Sequence, residues 1–337
     1  MSSLRDNYLV ARRNAGFGDC LWSLASAWQY AQLTGRVLVV DWRSSSYLED
    51  KSLNAFPLFF EPVDKIDGVT VIADDRINEL DLPGPFYPEC WDSGQIRSLV
   101  LRPNDALVEN RKLMSYLMFQ RADIPASTLV FDACLIGACA QKSERILFDA
   151  IRPKEEIQRR IDIAFEEHFA GHHVIGVHVR HGNGENIDVM APYWSDLEPA
   201  VQRILEAIDQ ARSLHDGPCK IFVCTDSPAV MERLINQCPD SFALPKEYPA
   251  LNAGRLHSPS LGMEGAIAAL VDMYLLARCD TVVRYPPASS FSRYAQLFAP
   301  RVIDVEIDGF NYLFQFKGSS NGPLPSLRNI TRLAQQV

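Results

Sequence analysis

Three residues within four positions carry much of the chemistry this sequence offers: His178, Arg180 and His181. Arginine holds its charge at any working pH, and its planar fork donates two parallel hydrogen bonds. Arg180 therefore suits a phosphate or a carboxylate. Gly182-Asn183-Gly184 follows, which is turn chemistry. Glu185 and Asp188 come next, the nearest carboxylates able to take a proton from a substrate hydroxyl. The element that must position this group is the run Val174-Ile175-Gly176-Val177-His178-Val179. Its near-continuous β-branched residues read as a strand covered on both faces. A strand ending in a cation and a glycine turn is how an open α/β sheet presents a ligand, outside the carboxyl ends of its strands.

The same design recurs twice downstream. Lys220–Cys224 reads as a strand ending in Thr225-Asp226-Ser227-Pro228, residues suited to capping a helix over 229–237. Thr281–Arg284 reads as a strand that runs into Tyr285-Pro286-Pro287-Ala288-Ser289-Ser290-Phe291, with a helix following through Leu297. Periodic apolar residues predict further helices over 196–214 and 262–277, and Val302–Val305 reads as a closing strand. Asp272 sits inside the apolar run of the second of these helices. A carboxylate there must face a partner or the surface.

The first half opens with a strand at Tyr8–Ala11 and the stretch Asn14-Ala15-Gly16-Phe17-Gly18-Asp19. A helix then carries Leu21, Leu24, Ala25, Trp28 and Ala31 on one face, Gly35 stops it, and Val37–Asp41 is a strand. This is a βαβ unit. Gly16 and Gly18 at its turn admit two readings. Glycines there let an anion approach the backbone at a helix N-terminus; alternatively they make a tight turn with Asp19 as N-cap. Strands are expected at 70–73 and 129–132, and helices at 105–120 and 155–169. Leu82–Pro88 is too proline-rich for regular structure. With Trp91, its Phe86 and Tyr87 either line a sugar-binding loop or pack that loop down. The expected architecture is α/β, two Rossmann-like domains over 1–170 and 171–337, with the boundary near Gly171.

Net charge of −9 over 337 residues argues against a nucleic-acid binder held by a general basic surface. No run of 18 apolar residues suggests a membrane span. The start, Met1-Ser2-Ser3-Leu4-Arg5-Asp6, lacks an apolar signal core, so the expectation is a cytoplasmic protein, compatible with peripheral association at the inner membrane. The eight cysteines contain no C-x-x-C pair and read as reduced, buried thiols rather than a zinc site or a disulfide framework.

Taken together, GFGDCLWSLA, FAGHHVIGVHVRHGNGE, CTDS and ALVDMYLLARCDTVVRYPPASSFSRYA resemble the α1,6-fucosyltransferases, and within them the nodulation fucosyltransferases of rhizobia. The resemblance spans nearly the whole chain. It implies a GT-B glycosyltransferase, two Rossmann-like domains facing across a cleft, with GDP-β-L-fucose bound mainly by the second. Fucose would pass with inversion to the 6-hydroxyl of a reducing-end N-acetylglucosamine on a chitin oligosaccharide of Nod factor type. No metal ion or other cofactor would be needed. By the same resemblance, Arg180 stabilises the departing β-phosphate in place of a metal, and His178 touches the nucleotide. His181 and Asn183 line the cleft, where mammalian relatives carry a second Arg and an Asp, so the local electrostatics differ. Asp272 reads guanine, and Ser289 and Ser290 hydrogen-bond phosphate. Gly16, Phe17 and Gly18 face the donor, while Asp226 positions substrate or supports the structure. Glu185 and Asp188 are equal candidates for the base, Asp188 being closer in spacing to the catalytic glutamate of mammalian members.

Two other classes remain to be separated from a transferase. One is a GT-B protein that only binds a sugar nucleotide or glycan; the intact Arg180 and serine turn weigh against it. The other is a histidine metal enzyme; His178 and His181 do not converge easily on one ion, and no third ligand is evident.

Overall fold

The computed structural model describes residues 7–99, 118, 121–132, 141–181, 197–249, 259–287 and 289–305. They fall into two compact units, the first running to Lys154 and the second starting at Glu155. The charged helix expected at 155–169 thus belongs with the second unit. Asn183, Glu185, Asp188 and the expected helix at 105–120 lie outside the described residues, apart from Met118.

The first unit is built on a six-stranded sheet in the order β3-β4-β2-β1-β6-β5. Its strands are β1 (Tyr8–Ala11), β2 (Val37–Val40), β3 (Lys65–Ile66), β4 (Val69–Ile72), β5 (Phe86–Tyr87) and β6 (Thr128–Phe131). All pairings are parallel except the β3–β4 hairpin. Helix α1 (Phe17–Thr34) is buried along nearly its whole length, and Gly35 ends it in the left-handed conformation (φ 66°) that glycine takes without steric cost. The short helices α2 (Phe56–Phe59) and α3 (Ser93–Arg97) and the longer α4 (Gln141–Ala150) complete the unit.

One sequence expectation is corrected here, and of the two readings open for Trp91 the packing one holds. Phe86–Tyr87, read as irregular, pairs parallel with Thr128–Leu129 at the sheet edge. Prolines are tolerated there because an edge strand needs only one side of its ladder. Trp91 is 3% exposed and packs in the core beneath the sheet, so it lines no open sugar-binding loop.

The second unit is a five-stranded, wholly parallel sheet in the order β11-β10-β7-β8-β9. Its strands are β7 (His173–Val179), β8 (Cys219–Thr225), β9 (Ser241–Phe242), β10 (Thr281–Tyr285) and β11 (Arg301–Asp304). Helices α5 (Glu155–His168), α6 (Leu197–Arg212), α7 (Pro228–Gln237), α8 (Gly262–Leu276) and α9 (Ser290–Phe298) accompany it. Alternation along β7 separates two faces. Ile175, Val177 and Val179 join one core cluster with Val201, Ile204 and Ile208 of α6 and Val230 and Leu234 of α7. Val174, Gly176 and His178 point the other way. Gly176 is required there: a Cβ would stand 2.6 Å from Cys279 Sγ and 3.0 Å from Leu276 Cδ2.

The chain leaves β7 to build β8 and β9 on one side, then returns to add β10 on the other. The order therefore reverses between β7 and β10, the position where open α/β sheets bind ligands.

Candidate active site

Register places a polar row across the carboxyl end of the second sheet. His178 lies opposite Cys224 on β8 and opposite Arg284 on β10, and Arg284 lies opposite Asp304 on β11. Lateral partners in a parallel sheet share a face, so these side chains line up side by side. Arg284 is clamped by Asp304 through two bonds of 2.7 and 2.8 Å and by Gln296 Oε1 at 3.1 Å.

His178 is 4% exposed and its ring stacks on Phe291 of α9 at 5.3 Å. Burial pushes its pKa down to about 3, and the neighbouring Arg180, Arg284 and Lys246 charges push the same way. The imidazole is thus neutral at ordinary pH. Its buried Nδ1 has no hydrogen-bond partner among the described residues. A buried polar nitrogen left unpaired in this way is costly.

Arg180 follows β7 directly. Its N–H donates to the Tyr285 carbonyl at 2.8 Å, which pins the strand end against β10. Its guanidinium pairs with Asp226, and the other oxygen of Asp226 accepts the His181 N–H at 2.8 Å. The Arg180 side chain remains 27% exposed and that of Asp226 12% exposed. One carboxylate thus holds both the cation and the backbone of the following residue. Ser227, not Asp226, caps α7, accepting from the Val230 N–H with Pro228 behind it at the first helical position.

Ser289 stands at the N-cap of α9 but makes no capping bond with its side chain. Ser290 is the first helical residue. The helix start and two hydroxyls therefore follow the end of β10, beside the reversal point, in a setting that favours an anion.

Asp272, expected to need a partner, has one. It is 3% exposed, and its Oδ2 accepts from Lys246 Nζ at 2.6 Å and from Cys224 Sγ at 3.6 Å. Burial opposes the Lys246 charge, yet Asp272, Cys224 and Tyr248 together raise its pKa. Burial, then Asp272, holds the Cys224 thiol well above its usual range and so protonated. Lys246 was not singled out from the sequence. It lies in the proline-flanked stretch Pro245-Lys246-Glu247-Tyr248-Pro249, which has no periodicity, and the buried Asp272 signals only that some cation must come.

In the first unit, the Gly16-Phe17-Gly18 stretch is the start of α1 itself. Gly16 is the N-cap (φ −65°, ψ 159°), without a side-chain cap, and Asp19 lies in the first turn, 3.6 Å from Arg13. Asp19 is therefore not the N-cap, because the helix begins two residues before it. The Phe17 ring is buried, stacked on Tyr47 at 4.1 Å and edge-on to Phe59 at 5.0 Å, while its N–H donates to the Tyr47 hydroxyl at 3.0 Å. At the ends of β1 and β2, Asp41 binds Arg12 at 2.5 Å and Arg43 at 2.8 Å, all three nearly inaccessible.

Six of the eight cysteines fall among the described residues and all six are free thiols. Among the described residues, no three His, Cys, Asp or Glu side chains come together as a metal site, and no helix is long and apolar enough to cross a membrane.

Two α/β units, the second wholly parallel with its polar groups gathered where the strand order reverses, have the fold of the GT-B glycosyltransferases. A family model of nodulation protein Z (NodZ) matches residues 5–322, and the chain belongs to that family. It is 50% identical to a nodulation protein Z of Bradyrhizobium diazoefficiens over 325 residues, 96% of this chain and 88% of that one. It is 47% identical to the one from Sinorhizobium fredii, covering 94% of this chain and 98% of that one. A crystal structure of NodZ α-1,6-fucosyltransferase soaked with GDP-fucose superposes with a TM-score of 0.75 at 47% identity, covering 89% of this chain and 95% of that one. The fold extends to POFUT1 in complex with GDP, at a TM-score of 0.52 and 16% identity over 89% of this chain and 98% of that one.

Proposed function

We propose that this chain transfers L-fucose from GDP-β-L-fucose, with inversion and without a metal ion, to the 6-hydroxyl of the reducing-end N-acetylglucosamine of a chitin oligosaccharide. The enzyme class, a GDP-fucose-dependent α-1,6-fucosyltransferase, follows from family membership and from the 47% identical structures soaked with GDP-fucose or co-crystallised with GDP. The observation that carries the proposed chemistry is Arg180, a permanent cation fixed by Asp226 and by β10, partly exposed at the reversal point of the second sheet.

In the reaction the acceptor oxygen forms a bond to C1 of fucose while the bond from C1 to the β-phosphate oxygen breaks. Negative charge grows on the departing diphosphate. A preorganised guanidinium stabilises it without reorganising, the work a metal would otherwise do. Neutral His178 offers its unpartnered nitrogen to the nucleotide without adding charge to the site. Ser289 and Ser290 hold phosphate oxygens at the start of α9. Asp272 accepts from guanine N1–H and N2–H₂. Glu185 or Asp188 takes the proton of the acceptor hydroxyl. His181, Asn183 and the Gly16-Phe17-Gly18 stretch complete the donor surroundings. The first unit, to Lys154, supplies the acceptor side, and the second, from Glu155, the donor side.

Calorimetry with GDP, UDP and ADP in the presence of a chelator tests this reading, alongside transfer assays from GDP-fucose to chitin oligosaccharides. The expectation is that GDP binds best without metal, and that Arg180→Ala lowers kcat about a hundredfold to a thousandfold. Equal binding of UDP, or activity that vanishes with chelator and returns with a divalent cation, would sink the donor or metal-free part respectively. Transfer to other N-acetylglucosamine glycans at the same rate would remove the acceptor assignment alone.

A further inference from the structure

The carboxylate proposed to read guanine does not stand alone. Lys246 Nζ lies 2.6 Å from Asp272 Oδ2, and the two side chains are only 8% and 4% exposed. The ammonium also sits over the Tyr248 ring at 5.5 Å, and the Tyr248 hydroxyl donates to the Thr225 carbonyl at 3.4 Å, tying this group to the end of β8. An ammonium has three N–H donors. One is spent on Asp272 and the Tyr248 side chain lies alongside, which leaves one more to give. Oδ1 of Asp272 accepts no hydrogen bond among the described residues, since both the lysine and the Cys224 thiol use Oδ2.

Side by side, a donor and an acceptor form a pattern. Guanine presents an acceptor at O6, then donors at N1–H and N2–H₂. A lysine beside a carboxylate complements that edge in order. Adenine reverses it, setting an amino group against the ammonium and a ring nitrogen lone pair against the carboxylate. Uracil matches the first two positions but turns a second carbonyl toward the carboxylate. We propose that Lys246 is a specificity-determining residue of the nucleotide site, donating to O6 of the guanine whose N1–H and N2–H₂ are read by Asp272. This rests on the GDP reading above and extends it. Without the cation a buried carboxylate would be costly to keep charged, so Lys246 both keeps Asp272 an acceptor and supplies the donor that Asp272 cannot.

The test uses the full chain and three probes: GDP, its 6-thio analogue and inosine diphosphate. The thio analogue keeps both donors but weakens the six-position acceptor. Inosine diphosphate keeps O6 and lacks the amino group. Wild type is expected to bind the thio analogue about tenfold more weakly than GDP, the size of one hydrogen bond to a charged group. In Lys246→Met that penalty disappears, and the preference for GDP over inosine diphosphate weakens as Asp272 loses the cation that keeps it an acceptor. A wild type indifferent to the thio substitution overturns the proposal without any variant. So does a penalty that survives in Lys246→Met or, should that chain not fold, is undiminished in Lys246→Gln. If wild type binds GDP, inosine diphosphate and ADP alike, the guanine reading of Asp272 has itself failed, a different result from either.

Discussion

The two sheets end in similar residue types and use them differently. In the first unit, Arg12 and Arg43 close on Asp41, with exposures of 4%, 3% and 1%. Arg12 also stacks over Trp91, and both arginines donate to the Ile96 carbonyl at 3.2 Å. Burial lowers the Arg12 pKa even with Asp41 pulling it upward. Asp41 holds both arginines, and these tie α3 to the sheet through the Ile96 carbonyl. In the second unit, Arg180 also faces an aspartate, yet it keeps 27% of its side-chain surface and stands beside an imidazole nitrogen with no partner. The comparison teaches that a cation at a strand end is not by itself a site. What distinguishes the two is how much of the cation stays open to solvent, 3% of the Arg12 side chain against 27% of that of Arg180.

If that distinction is right, substitutions in the two regions should separate stability from transfer. Asp41→Ala strands two buried guanidinium groups. It should destabilise the first unit by about 3–5 kcal/mol, read from denaturant unfolding, with the rate per folded molecule little changed. A loss of activity without a loss of stability would place Asp41 in the site and break the contrast. Asp226→Asn should do the reverse. Arg180 loses its charged partner, and kcat/KM should fall by up to about a hundredfold through misplacement of the cation, with little change in unfolding.

The pH dependence sharpens the contrast. In the folded chain His178 resists protonation down to about pH 3, whereas the unfolded chain binds that proton below the ordinary 6.5. The unfolded state then holds more protons, so stability falls as pH drops from 6.5 toward 3, and His178 contributes no slope above that window. His178→Gln should remove about 1.4 kcal/mol per pH unit from the slope within it. An unchanged slope would mean the imidazole is not buried neutral. The smallest effect is expected from Tyr47→Phe. It deletes the hydroxyl that accepts the Phe17 N–H and should cost about 0.5–1.5 kcal/mol in thermal unfolding, leaving the second unit untouched.

The second sheet was largely legible because its strands are apolar runs closed by polar turns, and the turns are where the proposed chemistry lies. Val174–Val179, Lys220–Cys224 and Thr281–Arg284 all fall within observed strands, and Arg180, Asp226 and Ser289 follow strand ends as expected. Asp272 announced itself because a carboxylate in an apolar helix demands a partner. Its partner did not, since pairing across 26 residues through an irregular segment leaves no periodic trace. Nor did Phe291 show itself as the plate beneath His178, because packing of α9 against the sheet, not spacing along the chain, creates that contact. In the first unit, Phe17 looked like part of an open glycine loop. Helix α1 begins earlier than its apolar period suggested, and the ring turns inward to Tyr47 and Phe59. Two-residue strands such as β5 and β9 lie below the length at which alternation can be read at all.

Gly176 has a further consequence, one of measurement. Because β7 carries no side chain at this point, the side chains of Leu276, the last residue of α8, and of Cys279 beyond it pack against the strand backbone. Leu276 is one helical turn beyond Asp272, and Gly176 lies two residues before His178. On the proposed roles, the spacing between the carboxylate that would read the base and the strand end that would hold the phosphate passes through this contact. A Cβ at 176 would meet Cys279 Sγ at 2.6 Å, so even a methyl group there would shift the ruler against which the proposed nucleotide is measured.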